Sequence, residues 1–340
     1  MFECLQDLTG GTIVFFIATK CFIVDITSVE KRTTRLAVLD AFYGVGYLIG
    51  FPTGTFIKKQ FGYVPLFSLT LGLSIFAMIY VAVFIKDSYQ LSTEEDKIVF
   101  NTKRAANRLK CDRGVFRSIF NLTVSSFKSL FKKRSNNDRL WIILMVLVFS
   151  ISTIVRAGYG LLGFMFFRLQ YKISTEMYGH LVSYWYVVNF FSQMVVLPFL
   201  SKTMQLRDTT IIILSLGLCL VGYSVEAFLS DAWTLFLVWF VFFLLYNNMF
   251  STTRSAMSKL LDPTEIGKAF SVLGVLESCL ALLAKPIYGF IYQSSLHIFP
   301  GLWFMVSNGV LLTALIIAFI LHVGMKNSQE QVAENGEENL

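Results

Sequence analysis

Residues 35–57 read RLAVLDAFYGVGYLIGFPTGTFI, and part of this stretch occurs twice in the chain. The pattern VL…PTGTFI at 38–39 and 52–57 returns as VL…PIYGFI at 272–273 and 286–291, with the same internal spacing. Each copy follows a turn holding both acidic and basic residues, DITSVEKR before the first and DPTEIGK before the second. Both copies lie in apolar runs of roughly 20 residues, the length at which a helix crosses a bilayer. The repeated element is a membrane helix.

The rest of the chain has the same character. It holds 340 residues, 55% hydrophobic and only 15% charged, where a soluble domain carries nearer a quarter. Hydropathy predicts about nine spans, near 9–24, 36–57, 64–85, 140–166, 177–199, 209–229, 233–253, 267–292 and 300–322. The repeat then equates the second span with the eighth, a period of six. Parallel six-helix repeats build one transporter architecture, two bundles about an axis normal to the membrane. Nine spans with that period leave three helices out, and the charge pattern puts the gap at the start. The expected fold is an all-α integral membrane protein with about nine of twelve transmembrane helices. Its parts are a three-helix remainder of the N-terminal bundle (1–85), a basic loop (86–139), a six-helix bundle (140–322) and an acidic tail (323–340).

Charge sets the orientation. The formal net charge is +7, and residues 86–139 carry 13 Lys and Arg against 6 Asp and Glu, which accounts for all of it. Such a loop beside a membrane reads as cytoplasmic and facing anionic lipid rather than nucleic acid. The connectors DITSVEKRTTR, SKTMQLRD and RSAMSKLLDPTEIGK are basic in alternation with it, so they and the tail also belong on the cytoplasmic side. Within the loop, Phe116, Phe120, Phe127 and Phe131 alternate with Arg113, Arg117, Lys128 and Lys132. That pattern predicts an amphipathic helix on the inner leaflet.

Catalytic and metal chemistry find no footing. The five cysteines are scattered and mostly within apolar runs, and His180, His297 and His322 sit apart from them and from each other. No nucleotide-binding loop, zinc-helix motif or nucleophile elbow occurs. The chain reads as a non-enzyme without cofactor or metal, and its energy would come from a gradient.

Two further stretches point to a family. VDITSVEKRTTRLAVLDAFYGVGYLIGFPTGTFIKKQFGY resembles the loop and fifth helix of the proton-coupled folate transporter family, solute carrier family 46 of the major facilitator superfamily. TTRSAMSKLLDPTEIGKAFSVLGVLES resembles its tenth-to-eleventh helix connection. The motifs that carry the likeness are D-x-T/S-x(4)-R-T/S-x-R, from Asp25 to Arg35, and R-x-x-x-S-K-L, from Arg254 to Leu260. The resemblance covers the family's fourth to twelfth helices. It implies a fragment of a transporter, with a genuinely short, non-transporting scaffold as the alternative. It implies protons and an organic anion, folate-like or a related conjugate, as partners, in the plasma membrane or the lysosomal membrane.

An ionisable group in mid-span costs about 2.5–3.5 kcal/mol on insertion scales, so each needs a reason. Asp40 reads either as the partner of Arg35 or another base, or, as the resemblance implies, as the proton-coupling acid, with Glu277 next in line. Asn247, Ser251 and Arg254 share a helical face at i, i+4 and i+7, and the resemblance implies a substrate or coupling role there. Tyr186, Asn189 and Gln193 form a polar stripe that lines a cavity or bonds a neighbouring helix. Arg156 is placed to meet an anionic substrate. Glu277 and Lys285 stand two turns apart and could share a neighbour; Lys20 has no assigned role. Gly46, Gly50 and Gly54 form a small-residue ridge that lets helices approach closely.

Overall fold

The computed structural model of the protein describes residues 11–28, 31–84, 126–127, 138–229, 231 and 233–337. The elements are helical throughout: α1 (Gly11–Asp25), α2 (Arg32–Phe61), α3 (Tyr63–Phe84), α4 (Asp138–Gln170), α5 (Thr175–Phe191), α6 (Asp208–Phe228), α7 (Thr234–Phe242), α8 (Tyr246–Leu260), α9 (Pro263–Ser295) and α10 (Leu302–Glu337). Each expected span coincides with a helical path. Eight paths are long and apolar enough to cross a membrane, and α1 is described over 15 residues. The helix predicted around Phe116 to Phe131 falls almost wholly outside the described residues. Much of the tail is helical, since α10 continues through Glu337.

The chain divides into two compact units, Met1–Val45 with Ser126–Leu340, and Gly46–Ser125. In the smaller unit no residue of α3 is buried. Its hydroxyls return to their own helix, Ser68 donating to the Val64 carbonyl and Thr70 to that of Leu66, both at 2.9 Å. Such bonds hide polar groups where water is absent. A Cβ at Gly46 or Gly50 would meet nothing within 4 Å, and one at Gly54 would make ordinary contact with Leu66 at 3.7 Å.

Close helix approach through glycine occurs in the larger unit. A Cβ on Gly158 of α4 would stand 2.6 Å from the Tyr288 ring of α9, and one on Gly222 of α6 equally near Phe243. In this unit α4 packs along α9 and α10, α6 lies between α8 and α10, and α1 rests on α9. Tyr159, Phe166, Tyr223, Trp303 and Phe304 interlock as an aromatic core. The two repeat copies are α2 and α9, each with a proline inside a long helix, Pro52 and Pro286.

Two paths are irregular. α7 and α8 form one span interrupted at 243–245, and α5 runs on through π-helical turns at Ser192–Val196 and Phe199–Thr203, either side of Pro198. Non-helical backbone at membrane depth survives where it is buried in protein or lines a cavity. Both irregular paths reach the cavity described next.

Candidate functional site

Asp40 stands eight residues into α2, about 12 Å from its start at 1.5 Å per residue. It does not meet Arg35, which is exposed. Its partner is Lys20 of α1, with Nζ 2.8 Å from Oδ1, and the Ser251 hydroxyl of α8 donates to Oδ2. Both side chains are largely buried, 7% exposed for Lys20 and 16% for Asp40. An ammonium and a carboxylate removed from water together compensate each other's lost hydration. Lys20, unassigned from sequence, is therefore the residue that makes Asp40 tolerable.

A second pair lies on the equivalent helices of the other copy. Arg254 of α8 reaches Glu277 of α9, NH2 to Oε2 at 2.8 Å, and Arg156 of α4 holds Oε1 of the same carboxylate. Both guanidinium groups also face aromatic rings, Arg156 over Phe250 at 4.4 Å and Arg254 over Phe149 at 4.8 Å. Such stacking favours a weakly hydrated cation. Glu277 and Lys285 share no partner among the described residues, and Lys285 is on the exposed face of α9. Each repeat thus supplies a cation on one helix and a carboxylate on the next, Lys20–Asp40 and Arg254–Glu277, with Arg156 added from α4.

These five charged groups line one cavity of about 530 Å³. Tyr186, Asn189, Gln193 and Asn247 line it too, whereas Ser251 stands behind, bonded to Asp40. The polar stripe of α5 also joins helices: Asn247 donates to Asn189 Oδ1 at 2.5 Å, and Asn248 to the Ser192 hydroxyl at 2.8 Å. Gln193 Oε1 is buried without a hydrogen-bond partner, an acceptor left for something entering the cavity. The remaining wall is aromatic, including Tyr159, Trp185, Trp239, Phe243, Tyr246 and Phe250. Three cations against two carboxylates on an aromatic wall suit a bulky molecule bearing negative charge.

The two sequence motifs meet each other. Arg32 donates to the Ser258 carbonyl at 2.8 Å, and the Thr33 and Ser255 hydroxyls bond at 2.6 Å. Beside them Ala37, Leu197 and Ile211 form a small apolar cluster. Arg32 also donates to the Thr27 carbonyl of its own turn. This ties α2 to α8 at the end of the bundle where both motifs lie.

Sequence reasoning passed over one acid. Glu226 lies in GYSVEAF near the end of α6, fully buried. Trp239 Nε1 donates to its Oε1 at 2.6 Å and the Tyr159 hydroxyl at 3.2 Å. The signal was available, a lone carboxylate in an apolar run, but its place near a span end made it look like a boundary residue.

The Major Facilitator Superfamily profile matches residues 8–284. Three curated relatives are similar over most of the chain. The lysosomal proton-coupled steroid conjugate and bile acid symporter of Gallus gallus is 25% identical over 320 residues, 92% of this chain and 64% of the relative. The probable peptidoglycan muropeptide transporter of Drosophila melanogaster is 21% identical over 299 residues, 86% and 54%. The proton-coupled folate transporter of Bos taurus is 24% identical over 326 residues, 93% and 63%. The chain spans under two thirds of the length of these three relatives, and they carry the solute carrier family 46 resemblance read from the motifs.

Proposed function

Since the chain belongs to the major facilitator superfamily and is a multi-pass membrane protein, we propose that it serves proton-coupled transport of an organic anion by alternating access. The observation that carries this reading is the cavity, where Lys20, Arg156 and Arg254 outnumber Asp40 and Glu277. With both carboxylates ionised the five groups sum to one positive charge, and a proton on Asp40 raises that to two. Proton uptake and anion binding then favour one another.

The two acids differ in what surrounds them. Glu277 is the counter-ion of two arginines, whereas Asp40 answers to one lysine. The coupling proton is assigned to Asp40, since neutralising it would free the Lys20 ammonium for an incoming anion. Arg156 and Arg254, held by Glu277, would anchor the anionic group, and the aromatic wall would hold a ring-bearing body. The relatives named for steroid conjugates and bile acids and for folate support a bulky anionic substrate.

The test is uptake into proteoliposomes holding the full chain. Radiolabelled bile acid conjugates, folate and muropeptide are offered with and without an imposed proton gradient. Uptake of at least one, stimulated by acid on the loading side, is expected. If none is taken up and none displaces a fluorescent anion from the purified protein, the cavity is not a substrate site.

A further inference from the structure

Of the buried charged-type side chains that the proposed mechanism leaves unused, Glu226 is the most deeply buried. It is 0% exposed, and its Oε2 is buried with no hydrogen-bond partner. Both contacts to Oε1 come from neutral donors, Trp239 of α7 and Tyr159 of α4. The titratable groups around Glu226 and these partners, among the described residues, include Tyr159, Tyr171, Tyr178, Cys219, Tyr223 and Asp231. None of them is a cation. Every other buried carboxylate of the cavity region has a cation at its side.

A buried ionised carboxylate with no opposite charge and one unbonded oxygen is costly, and such a group neutralises itself by holding a proton. Glu226 is not isolated from the cavity, because Tyr159 and Trp239 both line it. We propose that Glu226 is a second proton-binding site, separate from Asp40, filled through the Tyr159 hydroxyl and felt at the cavity wall through Trp239. The transfer conserves protons and needs no other reactant. Tyr159 gives its hydroxyl proton to the carboxylate as it takes one from a hydronium ion in the cavity, and it ends unchanged.

Loss of that proton has a mechanical effect. The ionised carboxylate demands a further donor for Oε2, which water from the cavity or a shift of its neighbours must supply. Tyr159 and Trp239 move with it, so the aromatic wall is packed differently in the two protonation states. This inference rests on the proton-coupled reading for its purpose, though not for its chemistry.

Infrared difference spectra of the full chain in lipid, between acid and alkaline buffer, test it without any substrate. The carboxylic-acid carbonyl band should contain a component that survives Asp40→Asn and is lost in Glu226→Gln. Trp239→Phe and Tyr159→Phe, which remove its donors, should each shift that component to higher frequency. They carry the test should Glu226→Gln fail to fold. A carbonyl region identical to wild type in Glu226→Gln, or unmoved in both donor variants, would overturn the proposal. Uptake measured on the same preparations separates the two readings. Spectra as expected with no acid-driven uptake count against transport alone, and uptake with no Glu226 component counts against the second site alone.

Discussion

At the scale of the residue, the informative pair is Lys20 and Asp40. Removing one member of a buried pair strands the other, at roughly 3–5 kcal/mol, while removing both is far milder. Lys20→Met should therefore lower thermal stability in detergent more than the double variant Lys20→Met/Asp40→Asn, and a double variant as unstable as the single would dissolve the pair. Asp40→Asn alone mimics the protonated acid. It should keep anion binding and exchange while losing acid stimulation of uptake; full stimulation in this variant would move the coupling proton elsewhere. Arg254→Ala removes a charged anchor of about 1.5–3 kcal/mol, so anion affinity should fall on the order of 10- to 100-fold at every pH. Of these residues, Asp40, Arg156, Arg254 and Glu277 were legible because a charge in an apolar run is conspicuous. Their pairing was not, since Lys20 lies 20 positions before Asp40 and Arg156 lies 121 before Glu277. Only folding brings such separations together.

At the scale of the element, helix existence was readable from apolar length alone, and repeat helices α2 and α9 from their shared pattern. What length could not tell was where a helix is broken. Residues 243–245 sit inside FLVWFVFFLLYNNMF, whose hydropathy is continuous across the break. Glycine gives the other lesson. The ridge at 46, 50 and 54 has the spacing for close packing, and tight sites are found at Gly158, Gly222, Gly301 and Gly324, which share no such spacing. Gly158→Ala should drive a methyl into the Tyr288 ring and destabilise the bundle by about 1–3 kcal/mol. Gly50→Ala, in open space, should be neutral or stabilising by the helix propensity difference, up to about 1 kcal/mol. Equal effects of the two substitutions on thermal unfolding would contradict the packing described here.

At the scale of the whole molecule, the two stretches that signalled the family proved to be partners. Each was recognisable as sequence, but nothing in either announced that Arg32 and Thr33 bond to Ser258 and Ser255. If alternating access requires this end to open, a covalent tie there should stop the cycle. Cysteines at Thr33 and Ser255 replace hydroxyls that stand 2.6 Å apart, and a disulfide sets its two sulfurs about 2 Å apart. Oxidation of Thr33→Cys/Ser255→Cys should abolish uptake and reduction should restore it, and undiminished uptake by the oxidised form would show that this end need not part. Orientation is checked separately, with Cys111 expected to react with impermeant maleimide only from the cytoplasmic side.

The chemistry of that tie has a consequence for how the protein answers acidity. A guanidinium on a backbone carbonyl and two hydroxyls on each other contain nothing that titrates in the physiological range. Acid therefore does not break these bonds by titrating their own atoms. On the proton-coupled reading, acid would act on groups beside the tie, the Lys259–Asp208 pair at 2.6 Å and His322 on Thr209 at 2.7 Å, and on what the cavity holds, some turns away along α2 and α8. On the proposed reading, trigger and latch are different chemical objects on the same two helices, so a compartment's pH would set how often the protein is loaded without titrating the bonds that tie this end.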